Sequence, residues 1–369
     1  MFQRMLLPLD GSKRAERAIP VAARIARACG GSLMLLRVVG THIEFGTYMT
    51  EPSVLIQEAL EADLTRAIDY LARIKVSRDL AGIETMVAVR SGGAAQTILD
   101  VAQTQHVDLI VICSHGETGF KRWVLGSVAQ QVARHSPLPL LVLRDGGPVP
   151  TCSFPDPTHP LRALMGLVAL DGSVGAEAAL EPAAKLVAAL AAPARGILRL
   201  TRVVDQPANE HGRGSHERID PFMKEAILST AKTYLSGVAD RLQSGPLADL
   251  KLTIVCSVAM GRDVASALLN VAETGKDAEG TAMLGSCDLV ALATHGRGGL
   301  QRLAWGSVTE RVLEATRRPL LVVHTPPPGG RVLQQEQATT RSMSEAQQRD
   351  KGYEHAIRRA TQAASGEPS

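Results

Sequence analysis

Two short runs in this sequence have the residue types and spacing to hold an anion. Cys113-Ser114-His115-Gly116 is followed by nine residues and then Gly126-Ser127; Ala293-Thr294-His295-Gly296 is followed by nine residues and then Gly306-Ser307. The first follows the apolar run 108–112 and the second completes the apolar run 288–293, and each leads into a stretch of helical apolar spacing. A strand, a glycine-bearing loop and a helix start together make a place for phosphate. The helix end offers unpaired N–H groups and the positive end of a dipole, and glycine lets a phosphate approach the backbone. One such loop is weak evidence; two copies in matching settings carry the argument.

Further candidates stand at the first apolar run of each copy. Asp10-Gly11-Ser12 follows residues 4–9, and Asp171-Gly172-Ser173 follows residues 164–170. Asp-Gly is a common turn signal. Its recurrence where open parallel sheets bind ligands, beyond the C-terminal strand ends, favours a place in the site. His115 and His295 have no acid or nucleophile at a recognisable spacing, so each is read as shaping its loop by hydrogen bonds to the backbone. Ser127 and Ser307 read as N-caps, which is compatible with phosphate at the same N–H groups.

Other motifs fail on context. The run from Asn270 to Asp277, containing Gly275-Lys276, lacks the first glycine and the final hydroxyl of a P-loop, and it follows a helix. Ser91-Gly92-Gly93 follows a third strand and not a first. Gly296-Arg297-Gly298-Gly299 has Gln301 where a dinucleotide fingerprint needs glycine. His211 and His216 lie in a polar connection without partner ligands. Arg302 is close enough to its glycine loop to contact phosphate, whereas Arg311, Arg317 and Arg318 read as a solvated helix face.

The elements that must hold these residues repeat. In the first copy, strands are expected at 4–9, 32–39, 83–89, 108–112 and 138–143. Helices are expected from Ser12 as N-cap to Gly30-Gly31, at 54–74 with Leu60, Leu64, Ala67, Ile68 and Leu71 on one face, and at 94–105. Pro20 lies inside the first helix and should bend it. The second copy gives strands at 164–170, 196–204, 250–258, 288–293 and 319–323. It is longer than the first, and part of the excess falls within 272–287, at the N-terminal end of a strand and so away from the site. Strands alternating with helices, several of them nearly continuous apolar runs, mean a parallel sheet covered on both faces. The fold class is therefore α/β, as two tandem five-stranded parallel-sheet domains: 1–144 and 161–325. Residues 145–160, rich in Pro, Gly, Asp and Thr, read as a linker. The polar stretch 326–369 reads as a disordered tail, with a short helix near 344–361.

At 369 residues the chain suits two domains and a tail. Its aromatic content of only 3% means aliphatic cores, and a formal charge of +3 gives no case for a nucleic-acid partner. No apolar run reaches the length of a membrane span. The N-terminal residues enter a strand directly, with no secretory segment before it. The cysteines, Cys29, Cys113, Cys152, Cys256 and Cys287, are odd in number and scattered, which fits reduced thiols in the cytoplasm.

This order of motifs resembles the universal stress protein family, in its tandem two-domain form. The resemblance covers roughly residues 1–144 and 161–325. It rests on strand-Asp-Gly-Ser-helix, then Ser/Thr-His-Gly, nine residues and Gly-Ser, and an edge strand Pro-Leu-Leu-Val. It implies a strand order of 3-2-1-4-5, an adenine nucleotide alpha hydrolase-like sheet, and ATP bound through Gly-x2-Gly-x9-Gly-Ser/Thr. Gly116 and Gly126-Ser127, and Gly296 and Gly306-Ser307, match the later part of that pattern. Its first glycine is replaced by Cys113 and Ala293: alanine adds one methyl, while the larger cysteine would crowd an adenosine. The resemblance also implies that Asp10 and Asp171 lie beside the nucleoside and that Val38 and Val203 present backbone to adenine. Pro8, at the end of the first strand, and Val128 and Val308, after the glycine loops, belong to the same implied sites.

Arg297 after Gly296 favours phosphate, whereas Glu117 after Gly116 repels it unless a metal ion bridges them. The second domain is therefore expected to be the better ATP site, with any Mg²⁺ held by the phosphates. The expected function is that of a cytoplasmic stress-response sensor or regulator and not a catalyst. A structural adaptor without nucleotide and a weak ATPase are the alternatives. The fifth strands are apolar edges expected to pair, within one chain as a pseudo-dimer or between chains as a homodimer.

Overall fold

The computed structural model describes residues 1–40, 53–114, 125–144, 147, 163–205, 221–280, 285–294 and 306–325. The expected tail with its short helix, and the linker except for Gly147, lie outside the described residues.

Among the described residues ten strands form a single sheet. The first half contributes β1 (Arg4–Pro8), α1 (Lys13–Glu16), α2 (Ala18–Cys29), β2 (Ser32–Val39), α3 (Ser53–Lys75), β3 (Thr85–Ser91), α4 (Ala94–Thr104), β4 (Leu109–Cys113), α5 (Ser127–His135) and β5 (Leu140–Leu143). The second repeats the series with β6 (Met165–Leu170), α6 (Val174–Glu177), α7 (Leu180–Ala191), β7 (Gly196–Val204), α8 (Pro221–Ser244), β8 (Leu252–Met260), α9 (Val264–Thr274), β9 (Leu289–Ala293), α10 (Ser307–Ala315) and β10 (Leu320–Val323). The order is β3-β2-β1-β4-β5-β10-β9-β6-β7-β8, so each half has the expected order 3-2-1-4-5. Within each half every pairing is parallel; β5 and β10 join antiparallel, with Leu141 opposite Leu321. The two fifth strands thus pair with each other within the chain.

Strand alternation sends neighbouring side chains to opposite faces. Met5, Leu7, Leu33, Leu35, Leu109 and Val111 pack under α2 and α3, in a core that continues into the second half beneath α7 and α8. Leu6, Met34, Leu36, Ile110 and Ile112 pack under α4 and α5, in a core shared with α9 and α10. Side chains also tie the halves together. Arg24 of α2 donates from Nε to the Leu190 carbonyl at 2.6 Å, Arg134 of α5 reaches Glu310 of α10 at 3.3 Å, and a His324 ring nitrogen lies 2.8 Å from the Ala133 carbonyl.

Three local expectations are corrected. The helix after Ser12 does not run through and bend at Pro20; it is interrupted at Arg17, whose N–H donates to the Arg14 carbonyl at 3.2 Å. Proline offers no N–H to the carbonyl four residues back, so the chain closes a tighter turn there and restarts. The same break precedes α7, which carries Pro182. The third strand of each half starts two residues late, because Ile83 and Leu250 still close turns onto the carbonyls of Leu80 and Leu247, both at 3.1 Å. They are apolar because they pack on the core from the turn. Finally, Ile68 is 56% exposed; α3 buries Ala67 and Leu71 instead.

Candidate functional site

At the C-terminal end of β6 the chain must turn sharply into α6. Gly172 takes φ +90°, a conformation that favours glycine, and Asp171 Oδ1 accepts from the Ser173 N–H at 2.8 Å and from its hydroxyl at 2.6 Å. Ser173 Oγ accepts in turn from the Ala176 N–H at 3.1 Å and so caps α6. The first half repeats this turn. Gly11 has φ +87°, Asp10 Oδ1 accepts from the Ser12 N–H at 2.9 Å, and Ser12 caps α1 through the Ala15 N–H.

The glycine loops close in the same way. The Gly306 N–H donates to the Thr294 carbonyl at 3.0 Å, and the Gly126 N–H to the Ser114 carbonyl at 2.7 Å. A Cβ on Gly306 would lie 3.1 Å from the Thr294 oxygen, so glycine permits this closure. Gly126 and Gly306 are themselves the N-caps of α5 and α10, with no side chain capping either helix. Ser127 and Ser307 are the first helical residues, which corrects the N-cap reading. An uncapped helix start leaves its first N–H groups available to an anion.

In the second half these pieces surround one cleft of about 520 Å³. Asp171, Val203, Ala293, Gly306, Ser307 and Val308, all singled out in the sequence, lie on its wall. Val264 and Leu268 of α9 line it together with Val203 and Leu292, and supply its apolar part. His295, Gly296 and Arg297 lie outside the described residues. No described residue of the 272–287 segment lines the cleft. Residues that the motifs did not flag also take part, chiefly Thr201, Arg202 and Asp205.

The first half differs. A cavity of about 410 Å³ is lined by Asp10 and Val38, but also by Arg37, Asp63, Arg66 and Tyr70, so it faces α3. Pro8, Cys113, Gly126, Ser127 and Val128 are not on its wall. The Cys113 thiol lies 3.8 Å from the Ala15 carbonyl of α1, in the core beneath α2 and α3. His115, Gly116 and Glu117 lie outside the described residues.

A second duplicated arrangement flanks both sites. Tyr234 of α8 donates to Glu177 at 2.9 Å, Arg241 pairs with the other oxygen of Glu177 at 2.7 Å, and the Arg202 guanidinium lies 5.1 Å from the Tyr234 ring centre. In the first half Tyr70 donates to Glu16 at 3.4 Å, a longer contact. Burial first, and the neighbouring carboxylate second, push both phenols above the ordinary tyrosine range. Comparing the two copies could have found this arrangement, since Glu16, Arg37 and Tyr70 recur as Glu177, Arg202 and Tyr234.

Among the described residues no group of three or more His, Cys, Asp or Glu is placed to hold a metal ion. Among the described residues Cys29, Cys113, Cys256 and Cys287 form no disulfide with one another. No described helix is long and apolar enough to cross a membrane.

The sequence pattern described by the universal stress protein family matches this chain twice, over residues 1–144 and 167–324. A universal stress protein of Mycobacterium tuberculosis is 26% identical over 331 residues, spanning 86% of this chain and 96% of that protein. One from Thermus aquaticus is 34% identical over 145 residues, 39% of this chain and all of that protein. Among solved structures, a universal stress protein from Archaeoglobus fulgidus superposes with a TM-score of 0.55 at 18% identity, covering 88% of this chain and 99% of that one, which is a likeness of fold.

Proposed function

We propose that this chain, which belongs to the universal stress protein family, binds an adenine nucleotide in the cleft of its second half and acts by binding it, without turnover. The observation that carries this reading is the convergence on one cleft of an acid, an apolar slot and an uncapped helix start. Its volume lies within the range of small-molecule sites. The apolar side chains of Val264, Leu268 and Val203 suit a flat base, Asp171 suits ribose hydroxyls, and the amides of Ser307 and Val308 suit phosphate. Mg²⁺, when present, would be held by the phosphates. ATP is the nucleotide that the family resemblance implies, and His295, Gly296 and Arg297 would complete its site.

We take 1–144 and 161–325 as the two domains, and the cytoplasm as the place of action. In the first domain Gly126 and Ser127 do not line the cavity at Asp10 and Val38, which favours the expectation that this half binds nucleotide weakly or not at all.

Calorimetry of the full chain with ATP, with and without Mg²⁺, tests the proposal. One site per chain, weakened by Asp171→Ala and unchanged by Asp10→Ala, is the expected result. No heat from any adenine nucleotide overturns it, and ADP accumulating in the cell would replace binding with turnover.

A further inference from the structure

The arginine before the second-strand valine occurs in both halves, and the two copies are held differently. In the second half Arg202 lies over the ring of Tyr234. In the first half Arg37 is turned against Gly11, where an added Cβ would come within 3.1 Å of its Nη1. That nitrogen is buried and has no hydrogen-bond partner, and Arg37 forms no ion pair among the described residues. A guanidinium stays charged in proteins, and a buried N–H left unmade is costly. Other atoms of the same side chain line a cavity of about 410 Å³.

The rest of that cavity narrows the ligand. Arg66, on the facing helix α3, is a second guanidinium, paired with Asp63. Asp10 and Asp63 are carboxylates that can accept hydroxyl groups. Charge on the wall therefore balances, which disfavours a polyanion, while one arginine still lacks an oxyanion. A planar fork of N–H groups suits a phosphoryl group.

We propose that the first half carries a separate site for a small phosphomonoester bearing hydroxyl groups, with its phosphoryl oxygens on Arg37 and Arg66 and its hydroxyls toward Asp10 and Asp63. Gly11 makes the site possible: a side chain there would push the Arg37 guanidinium from its place, and the positive φ would strain it. The two halves would then take different ligands, a nucleotide in one and a small phosphate ester in the other.

The test is calorimetry of the full chain with glycerol 3-phosphate, inorganic phosphate and glycerol. Glycerol 3-phosphate should bind at one site per chain, inorganic phosphate more weakly, and glycerol not at all. Arg37→Met should weaken the ester by about tenfold or more, the loss expected for a charged hydrogen bond. Arg66→Ala, a change at an exposed side chain, should weaken it by a smaller factor, and serves if Arg37→Met does not fold. Neither change should move ATP binding, and ATP should not displace the ester. Ester binding that persists in a chain giving no heat with ATP would sink the nucleotide reading and leave this one standing. The proposal is overturned if the ester binds no better than glycerol, if both variants bind it as wild type does, or if ATP competes for it.

Discussion

Leu141 of β5 lies directly opposite Leu321 of β10, and both side chains are fully buried. This antiparallel contact closes the apolar edges that two separate five-stranded sheets would otherwise expose. Leu321→Ala should cost about 2–5 kcal/mol, the range for a buried leucine truncated in a core. Because the cores run through both halves, denaturant unfolding should show one transition in the wild type. Two well-separated transitions would mean that the halves are energetically independent.

Gly306 sits against the Thr294 carbonyl at the start of α10. Gly306→Val should weaken ATP binding by about tenfold or more, since the larger side chain opens the closure that sets the helix start. Gly126→Val should leave ATP binding unchanged. Equal losses in the two variants would show that both halves hold the nucleotide.

Tyr70 and Tyr234 should ionise later than free tyrosine, whose pKa is about 10, when tyrosinate absorbance is followed against pH. The direction of the stability effect follows. A group whose folded pKa is raised contributes stability that is complete below about pH 10 and is lost as pH rises toward its folded value. Tyr70→Phe and Tyr234→Phe together should therefore flatten the alkaline loss of stability. Absorbance that rises as one wave at the free-tyrosine value would contradict the burial described here.

Arg199 is 1% exposed and lies in β7 opposite Leu167, as Met34 lies in β2 opposite Leu6. It donates from Nε to Ser257 Oγ at 2.9 Å and from Nη2 to the Gly275 carbonyl at the end of α9 at 3.0 Å, and its Nη1 has no partner. A cation at a helix C-terminus is favourable, but the burial cost is large. Arg199→Met, the residue its twin strand already uses, should leave stability within about 1–2 kcal/mol of wild type or raise it. Arg199→Ala, which leaves a cavity, should destabilise. Urea midpoints would separate the two outcomes.

The sheet was readable in the sequence because each buried strand is a nearly unbroken apolar run between turn signals, and because the series occurs twice. What misled was apolarity serving the core from a turn, as at Ile83 and Leu250, and an apolar residue left outward, as at Ile68. Asp171, Val203 and Gly306 reached one cleft because a βα connection brings strand ends and helix starts to one rim. Arg37 was not visible. Its difference from Arg202 lies in what the guanidinium packs against, glycine in one half and an aromatic ring in the other, and that is not written in residue type or spacing.

Carrying both halves of the β5–β10 pairing in one polypeptide has an evolutionary consequence. When two identical subunits meet about a twofold axis, every substitution appears twice, and a change that helps one copy is imposed on the other. Covalent fusion removes that constraint, and the pairing no longer depends on protein concentration. Each half can then mutate alone while its twin preserves the shared scaffold, as a core arginine in β7 matched by methionine in β2 already illustrates.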